Sequence, residues 1–490
     1  MNLSPLFVFP APALGVISPL EAGLAGVVFI LALVASGHAV IYKREARSAS
    51  LWFVMIWILP VAGSLLYVLL GVNRVRRRAT ALRRSMTRHR TNPQAPAGAA
   101  EICACAADHL VPLAQLVGQV VPRSLLAGNA VAVLVDGREA FPAMLAAIDS
   151  AQTSVGLSSY IFDGEGVGAQ FVAALTRAHA RGVAVRVLID DFDVRFSRSS
   201  ALAPLRRAGV NVGVFNPPFV PARLNGVHLR NHRKILVVDG ETGFTGGLNI
   251  DQRYGRTART EVPFHDLHFR LCGPVVAHLA EVFADDWQFT TGEALRGDKW
   301  FPPLVARGAM LARGIEAGPD GNHECLRWAI LGALNAAQRT VRVVTPYFVP
   351  DAALIAALSA AALRGVEVDI FLPRRGDLRH VQWAVMGQLW QVLEWGCRVW
   401  TCPGPFDHSK VMVVDSAWTL LGSANWDARS LRLNFEFNVE CYGCELGARL
   451  EKEIATRRSR ARAVTLAQLK ARPLPIKLRD GAARMFAPFL

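Results

Sequence analysis

The chain of 490 residues is long for a single domain. Hydrophobic residues make up 52% and the mean hydropathy is positive, which argues against a wholly water-bathed protein and for membrane segments. Fifty-four Lys and Arg against 39 acids leave a net charge of +15, which fits an anionic partner, nucleic acid or an acidic lipid surface, without choosing between them.

Residues 23–42 form a run of twenty without a charge, and 51–72 form a second run of 22, interrupted by Pro60 and Gly63. A helix needs ~20 apolar residues to cross ~30 Å of hydrocarbon, so the two runs predict a transmembrane hairpin within 1–80. A re-entrant hairpin that never crosses is the alternative. No basic segment precedes the first run and a second run follows it, so a cleaved signal peptide is not expected. Eight Arg and no acid lie between residues 74 and 90, whereas the loop between the runs has Lys43, Arg44 and Arg47, partly offset by Glu45. The positive-inside rule then predicts a multi-pass protein with its long C-terminal part in the cytoplasm. An Arg cluster beside a bilayer also attracts anionic lipid.

Residues 92–107 are rich in Ala, Pro and Gly and read as a linker, here taken to run over 81–125. The eight cysteines are scattered. Cys441 and Cys444 make one C-x-x-C, but no second pair or matched histidines accompany it, so buried, reduced thiols of a cytosol-facing protein are expected rather than a zinc site.

The rest of the chain repeats itself. Ala151-Gln152-Thr153 leads into an apolar run at 155–162, as Ala337-Gln338-Arg339-Thr340 leads into 341–349. Arg181-Gly182-Val183 and Arg364-Gly365-Val366 each precede another apolar run. The alternation predicts two α/β halves, 126–305 and 315–490, the second ending in a basic tail. Each half contains one copy of a six-position pattern. His232, Lys234, Asp239, Gly246, Gly247 and Asn249 recur as His408, Lys410, Asp415, Gly422, Ser423 and Asn425, every spacing retained across 176 residues. In H-x-K an extended strand sends both side chains to one face. The apolar residues 235–238 and 411–414 suit a buried strand, and each Asp can hold the turn that follows. The glycines let backbone approach a ligand closely, and each Asn offers amide donors. One half therefore supplies an imidazole, an ammonium and an amide for an anionic phosphate. Two halves supply the two imidazoles needed for attack by one and protonation of a leaving group by the other.

At these residues the chain resembles the phospholipase D superfamily. Leu229-Arg230-Asn231-His232-Arg233-Lys234, Gly246-Gly247-Leu248-Asn249-Ile250 and Asn434-Phe435-Glu436 are most similar to its bacterial cardiolipin synthase branch, as is the stretch 59–78. The resemblance implies two α/β/α sandwich halves meeting about a pseudo-twofold axis behind the membrane hairpin. It implies phosphatidyl transfer between two phosphatidylglycerol molecules at a bacterial inner membrane, without cofactor, metal or nucleic acid. His232 would be the nucleophile and His408 the acid and base, with Lys234, Lys410, Asn249 and Asn425 on the phosphate. Asp239 and Asp415 complete the family's catalytic motif, although their own chemistry reads as turn-holding. Glu436 matches the family's imidazole-orienting acid, 28 residues after His408, and Asp266 is its counterpart by repeat alignment, with Glu261 as competitor. Gly247 in place of Ser423 is usual in this branch. His265, His268 and His380 read as structural or peripheral. The same residues with water as acceptor would make a phospholipase D-type phosphodiester hydrolase. A nuclease is disfavoured by the hairpin, and a non-catalytic scaffold by both motifs being intact.

Overall fold

The computed structural model describes residues 18–43, 46–71, 97–105, 107–197, 199–216, 230–255, 263–319, 322 and 324–485. The Arg cluster at 74–90, Glu261 and residues 486–490 lie outside them. The chain divides into two compact units, 1–77 and 78–490.

In the first unit a helix spans Pro19–Tyr42, opened by a capping box in which Ser18 and Glu21 exchange hydrogen bonds. It is the one described helix long and apolar enough to cross a membrane. The second apolar run does not form a matching span. It is divided into Ala46–Ile58, Pro60–Leu66 and a π-helical turn at Tyr67–Gly71. Pro60 has no N–H to donate and its ring clashes with the preceding turn, which interrupts the helix there. The pieces still pack closely, for a Cβ on Gly63 would stand 2.4 Å from the carbonyl oxygen of Met55. Ala32, Ala35, Ala39, Ile56 and Tyr67 form the unit's small core, while Leu24, Phe29, Ile30 and Val34 face outward.

Among its described residues the second unit has seventeen strands: β1 (Leu126–Val135), β2 (Ser154–Ser159), β3 (Ala184–Asp190), β4 (Asn211–Phe215), β5 (Ile235–Val238), β6 (Thr242–Gly246), β7 (Leu267–Cys272), β8 (Met310–Ala317), β9 (Thr340–Val344), β10 (Phe348–Val349), β11 (Glu367–Pro373), β12 (Arg398–Cys402), β13 (Val411–Val414), β14 (Trp418–Gly422), β15 (Trp426–Asp427), β16 (Glu436–Tyr442) and β17 (Arg462–Val464). Apart from the separate pair β10–β15, they make one sheet in the order β17-β12-β11-β9-β13-β14-β16-β8-β1-β7-β6-β5-β2-β3-β4. Read outward from the β8–β1 seam, both halves run through corresponding strands, which is the repeat made visible. In each half three parallel strands (β2–β4, and β9, β11, β12) lie beside an antiparallel hairpin (β5–β6, and β13–β14). β1 and β8 join antiparallel at Leu126↔Ala312 and Asn129↔Met310.

In the first half the helices Asp136–Ser150 and Val167–Ala180 bury Phe141, Ile148, Phe171 and Leu175 against β2 and β3. Helix Val276–Thr291 packs against β2, β4, β5 and β6. Residues 99–121, read from composition as linker, instead form helices Ala99–Cys105 and Val111–Val120, whose Ile102, Leu113 and Val117 enter the core of the second half. Apolar spacing overrides an Ala-rich composition here. Among the described cysteines, Cys325, Cys397 and Cys441 are buried, whereas Cys103 and Cys444 are exposed.

Candidate active site

His232 stands three residues before the start of β5, which runs antiparallel to β2, so it lies at the carboxyl ends of the parallel strands, where ligands gather in α/β sheets. His408 holds the same place before β13. Between β5 and β6, and between β13 and β14, Asp239 and Asp415 take left-handed backbone angles, φ 52° and 53°. The Asp239 carboxylate accepts from the amides of Gln152, Thr153 and Ser154, and that of Asp415 from Gln338, Arg339 and Thr340. His109 also contacts Asp415, at 2.8 Å. These amide donors hold both carboxyls below the usual range although burial opposes them. Both Asp lie at the far end of the strand from the imidazole, and so do not belong with the groups able to touch a substrate. Four extended residues and the fixed period of the pleat separate them from it.

The two halves complete each other at the imidazoles. The backbone N–H of His232 donates to the Phe435 carbonyl at 2.9 Å, and that of His408 donates to the His265 carbonyl at 2.7 Å. Each acceptor immediately precedes a carboxylate. His232 Nδ1 stands 3.0 Å from Glu436, and His408 Nδ1 stands 3.0 Å from Asp266. Each histidine is therefore paired with the acid of the other half, whereas the spacings of 28 and 34 residues tie each acid to the histidine of its own half. With Nδ1 held, Nε2 of each ring remains for the substrate. Asp266 and Glu436 are fully buried, and Lys234 and Lys410 nearly so.

The carboxylates are seated differently. Ser423 Oγ donates to Glu436 at 2.5 Å, and Asn434 Nδ2 at 3.2 Å. At Gly247 a Cβ would stand 2.3 Å from a carboxyl oxygen of Asp266. The shorter acid thus occupies the space that a serine side chain would need, so Gly goes with Asp and Ser with Glu. In place of the serine hydroxyl, the His408–Asp266 pair has Tyr254, whose phenol is 2.9 Å from His408 Nδ1. The sequence reading missed Tyr254. Extending the repeat five residues beyond Asn249 would have singled it out, because Ser430 occupies the matching place and accepts instead from Asn425 at 3.1 Å. Asn249 Oδ1 and Asn425 Oδ1 are buried without a partner among the described residues. Each thus has an acceptor to spare for a ligand hydroxyl, whereas a phosphoryl oxygen would be met by the amide NH₂.

Burial governs the charge states. It pushes the His232 imidazole down to about 4, with Glu436 opposing and Lys234 and Lys410 adding to the fall. The ring is thus a neutral nucleophile at pH 7. Lys234 is lowered to about 7 and Lys410 to about 8 by burial, with mutual repulsion contributing at Lys234. At the other pair burial raises Asp266 well above the carboxylate range and lowers His408 well below the imidazole range. A net-neutral pair sharing a proton fits both directions. His265 is half-exposed and raised by its hydrogen bond to Asp136, and His268 is buried and lowered to about 3. His380 is exposed.

Behind His232, Arg233 is wholly buried between the halves, 2.6 Å from Asp286 and 2.7 Å from Glu316, and it donates to the Glu436 carbonyl. The second half places the charges in the opposite sense. There Asp407 precedes His408, and Arg457 reaches it at 2.7 Å from helix Cys444–Arg460.

Two imidazoles, two ammonium groups and crossed carboxylates agree with what the whole chain matches. The family model described as cardiolipin synthase, phospholipase D-like domain, matches residues 144–287 and 330–458. The chain belongs to this family. It is 31% identical over 470 residues to the cardiolipin synthase of Geobacillus kaustophilus, covering 94% of this chain and 92% of that one. It is 33% identical over 368 residues to the major cardiolipin synthase of Bacillus subtilis, covering 74% and 76%. The fold is shared with the phosphatidylserine synthase of Haemophilus influenzae, with a TM-score of 0.61 at 16% identity over 77% of this chain and all of that one. Membership in the family makes this chain an enzyme of phosphatidyl transfer.

Proposed function

We propose that the enzyme joins two phosphatidylglycerol molecules into cardiolipin and free glycerol. His232 Nε2 attacks phosphorus while the bond to one glycerol oxygen breaks, leaving a phosphatidyl-histidine. His408 Nε2 gives that oxygen its proton, and the Asp266 carboxyl can pass its own proton to Nδ1 at the same time. The incoming hydroxyl of the second phosphatidylglycerol then returns a proton to His408 as its oxygen displaces His232 from phosphorus. Lys234, Lys410, Asn249 and Asn425 stabilise the phosphoryl oxygens as charge builds. The observation that carries this reading is the crossed pairing, in which two imidazoles with matched but unequal carboxylate seats flank two buried lysines.

The first unit supports a membrane setting, with the C-terminal part on the cytoplasmic face of a bacterial inner membrane. In this reading Pro19–Tyr42 is one limb of a hairpin within 1–80, and the bent segment Ala46–Gly71 is the other. The catalytic halves then correspond to 126–305 and 315–490.

The test is incubation of detergent-purified enzyme with phosphatidylglycerol and lipid mass analysis. Cardiolipin and glycerol are expected without added nucleotide, and phosphatidic acid alone would install the hydrolase reading instead. Replacing His232 or His408 with Ala should cut turnover by ~10²–10⁴ or more, and the double variant should be little worse than the worse single.

A further inference from the structure

Beside the His408 half-site a narrow, open trough enters the protein between the carboxyl end of β11 and helix Arg379–Gln388. Its walls are Leu372, Leu378, Val381, Val385, Met386 and Leu389. We propose that this trough seats an acyl chain of the phospholipid served by His408. The inference rests on the phosphatidyl-transfer reading above and adds a binding site to it.

Three observations converge on a lipid chain. The first is continuity with the reaction centre. Tyr347 lines the trough, its ring lies 6.2 Å from that of Phe406, and the Phe406 ring lies 5.8 Å from that of His408. A chain in the trough therefore ends two ring contacts from the imidazole, with its phosphate end towards the lysines. The second is the chemistry of the mouth. Arg374 lines it, and Arg375 and Arg379 are exposed beside lining residues, against one acid, Asp377, which accepts from the Tyr347 hydroxyl at 2.7 Å. An apolar slot under a rim of net positive charge matches an anionic amphiphile rather than an apolar side chain of a protein partner.

The third is the back of the same helix. Helix Leu474–Met485 packs there so closely that a Cβ on Gly387 would stand 2.6 Å from the Asp480 carbonyl oxygen, and the Arg479 guanidinium lies 4.6 Å from the Trp383 ring centroid. This tail helix exposes Leu474, Leu478 and Met485 beside exposed Lys477, the pattern of a helix lying in a lipid interface. Helix Arg379–Gln388 thus has the trough on one side and, on the other, a tail helix with an apolar, basic surface, so a chain drawn from a bilayer would enter beside that surface.

The experiment uses full-length enzyme in detergent and phosphatidylglycerol carrying a photoactivated diazirine near the end of one acyl chain, with labelled peptides mapped by mass spectrometry. Label should concentrate in residues 372–389. Unlabelled long-chain phosphatidylglycerol should displace it, and glycerophosphoglycerol, which has the head group alone, should not. Met386→Trp fills the trough, and Leu378→Lys, at an exposed position, charges its mouth without disturbing the core. Each should reduce the label and raise KM for long-chain substrate by roughly tenfold more than for six-carbon chains, the worth of two or so methylenes kept from burial. Label in 372–389 from an enzyme that makes no cardiolipin would retain the trough and discard the reaction assigned above. Cardiolipin formation with label elsewhere, or with label indifferent to both variants, would overturn the trough.

Discussion

Exchanging Glu436 for Gln changes one atom in a fully buried seat and tests the crossed pairing directly. The carboxylate accepts from His232 Nδ1, Ser423 Oγ and Asn434 Nδ2, so all its near neighbours are donors. An amide must turn its NH₂ towards one of them. If it faces Nδ1, the imidazole keeps its proton on Nε2 and cannot attack. The lost charge-assisted hydrogen bond alone is worth ~1.5–3 kcal/mol, or roughly 10–150-fold in rate. The wrong tautomer can carry the loss to ~10⁴. Asp266→Asn should cost a comparable factor with the natural substrate, but by a different route, through His408 and the departing glycerol. The assay is therefore single-turnover release of nitrophenol from a phosphatidyl nitrophenyl ester, whose leaving group needs no protonation. Asp266→Asn should recover most of its burst rate on that substrate, and Glu436→Gln should stay slow. Recovery by Glu436→Gln and not by Asp266→Asn would refute the crossed assignment and restore pairing within each half.

Anionic substrate favours the charged forms of Lys234 and Lys410, lowered to about 7 and about 8 in the empty site. KM for a soluble short-chain substrate should be flat below pH 7 and climb as pH rises through these values, by about tenfold per unit for each lysine above its own; a KM that falls over the same range would refute the buried ammonium pair. Asp239→Asn and Asp415→Asn should lower Tm while leaving kcat within about threefold, since these carboxylates tie a turn and touch no substrate; losses near the ~10² expected of an acid–base group would return them to the catalytic set. Arg233→Met takes one buried partner each from Asp286 and Glu316 and should cost ~3–5 kcal/mol, seen by calorimetry as a Tm lower by ~3–6 °C for a unit of this size. Deleting residues 1–72 should release much of the protein from membranes, and high salt should strip the remainder from anionic vesicles, as screening acts within ~8 Å at physiological ionic strength; retention in high salt would assign a second anchor to the tail helix.

The paired motif made the chemistry of His232, Lys234, His408 and Lys410 legible, because strand periodicity and turn residues are local properties. The two α/β halves followed from the repeated alternation for the same reason. What escaped was set by contacts distant in sequence. The acid partner of each imidazole depends on β7 and β16 meeting the opposite half across the β1–β8 seam, and a spacing counted along the chain cannot express that. The second apolar run had the length of a span, but one missing N–H at Pro60 divides it. Helix Val111–Val120 was hidden because its apolar stripe is short and set in a stretch whose composition resembles a tether. Tyr254 escaped because the second copy has Ser430 in its place, although Asp251 and Asp427, and Arg253 and Arg429, keep the spacing of the repeat beside it.

The crossed seats also fix the order in which the reaction centre can be completed during synthesis. Synthesis delivers His232 well before Glu436, so the first half emerges from the ribosome with a motif that lacks its acid and with nothing to accept the His232 backbone N–H. The seat of His232 is completed only when β16 takes its place beside β8, whereas both members of the His408–Asp266 pair precede β16 in the chain. A chain ending before Phe435 lacks both the Glu436 carboxylate and the Phe435 carbonyl, the two groups of the second half that seat His232.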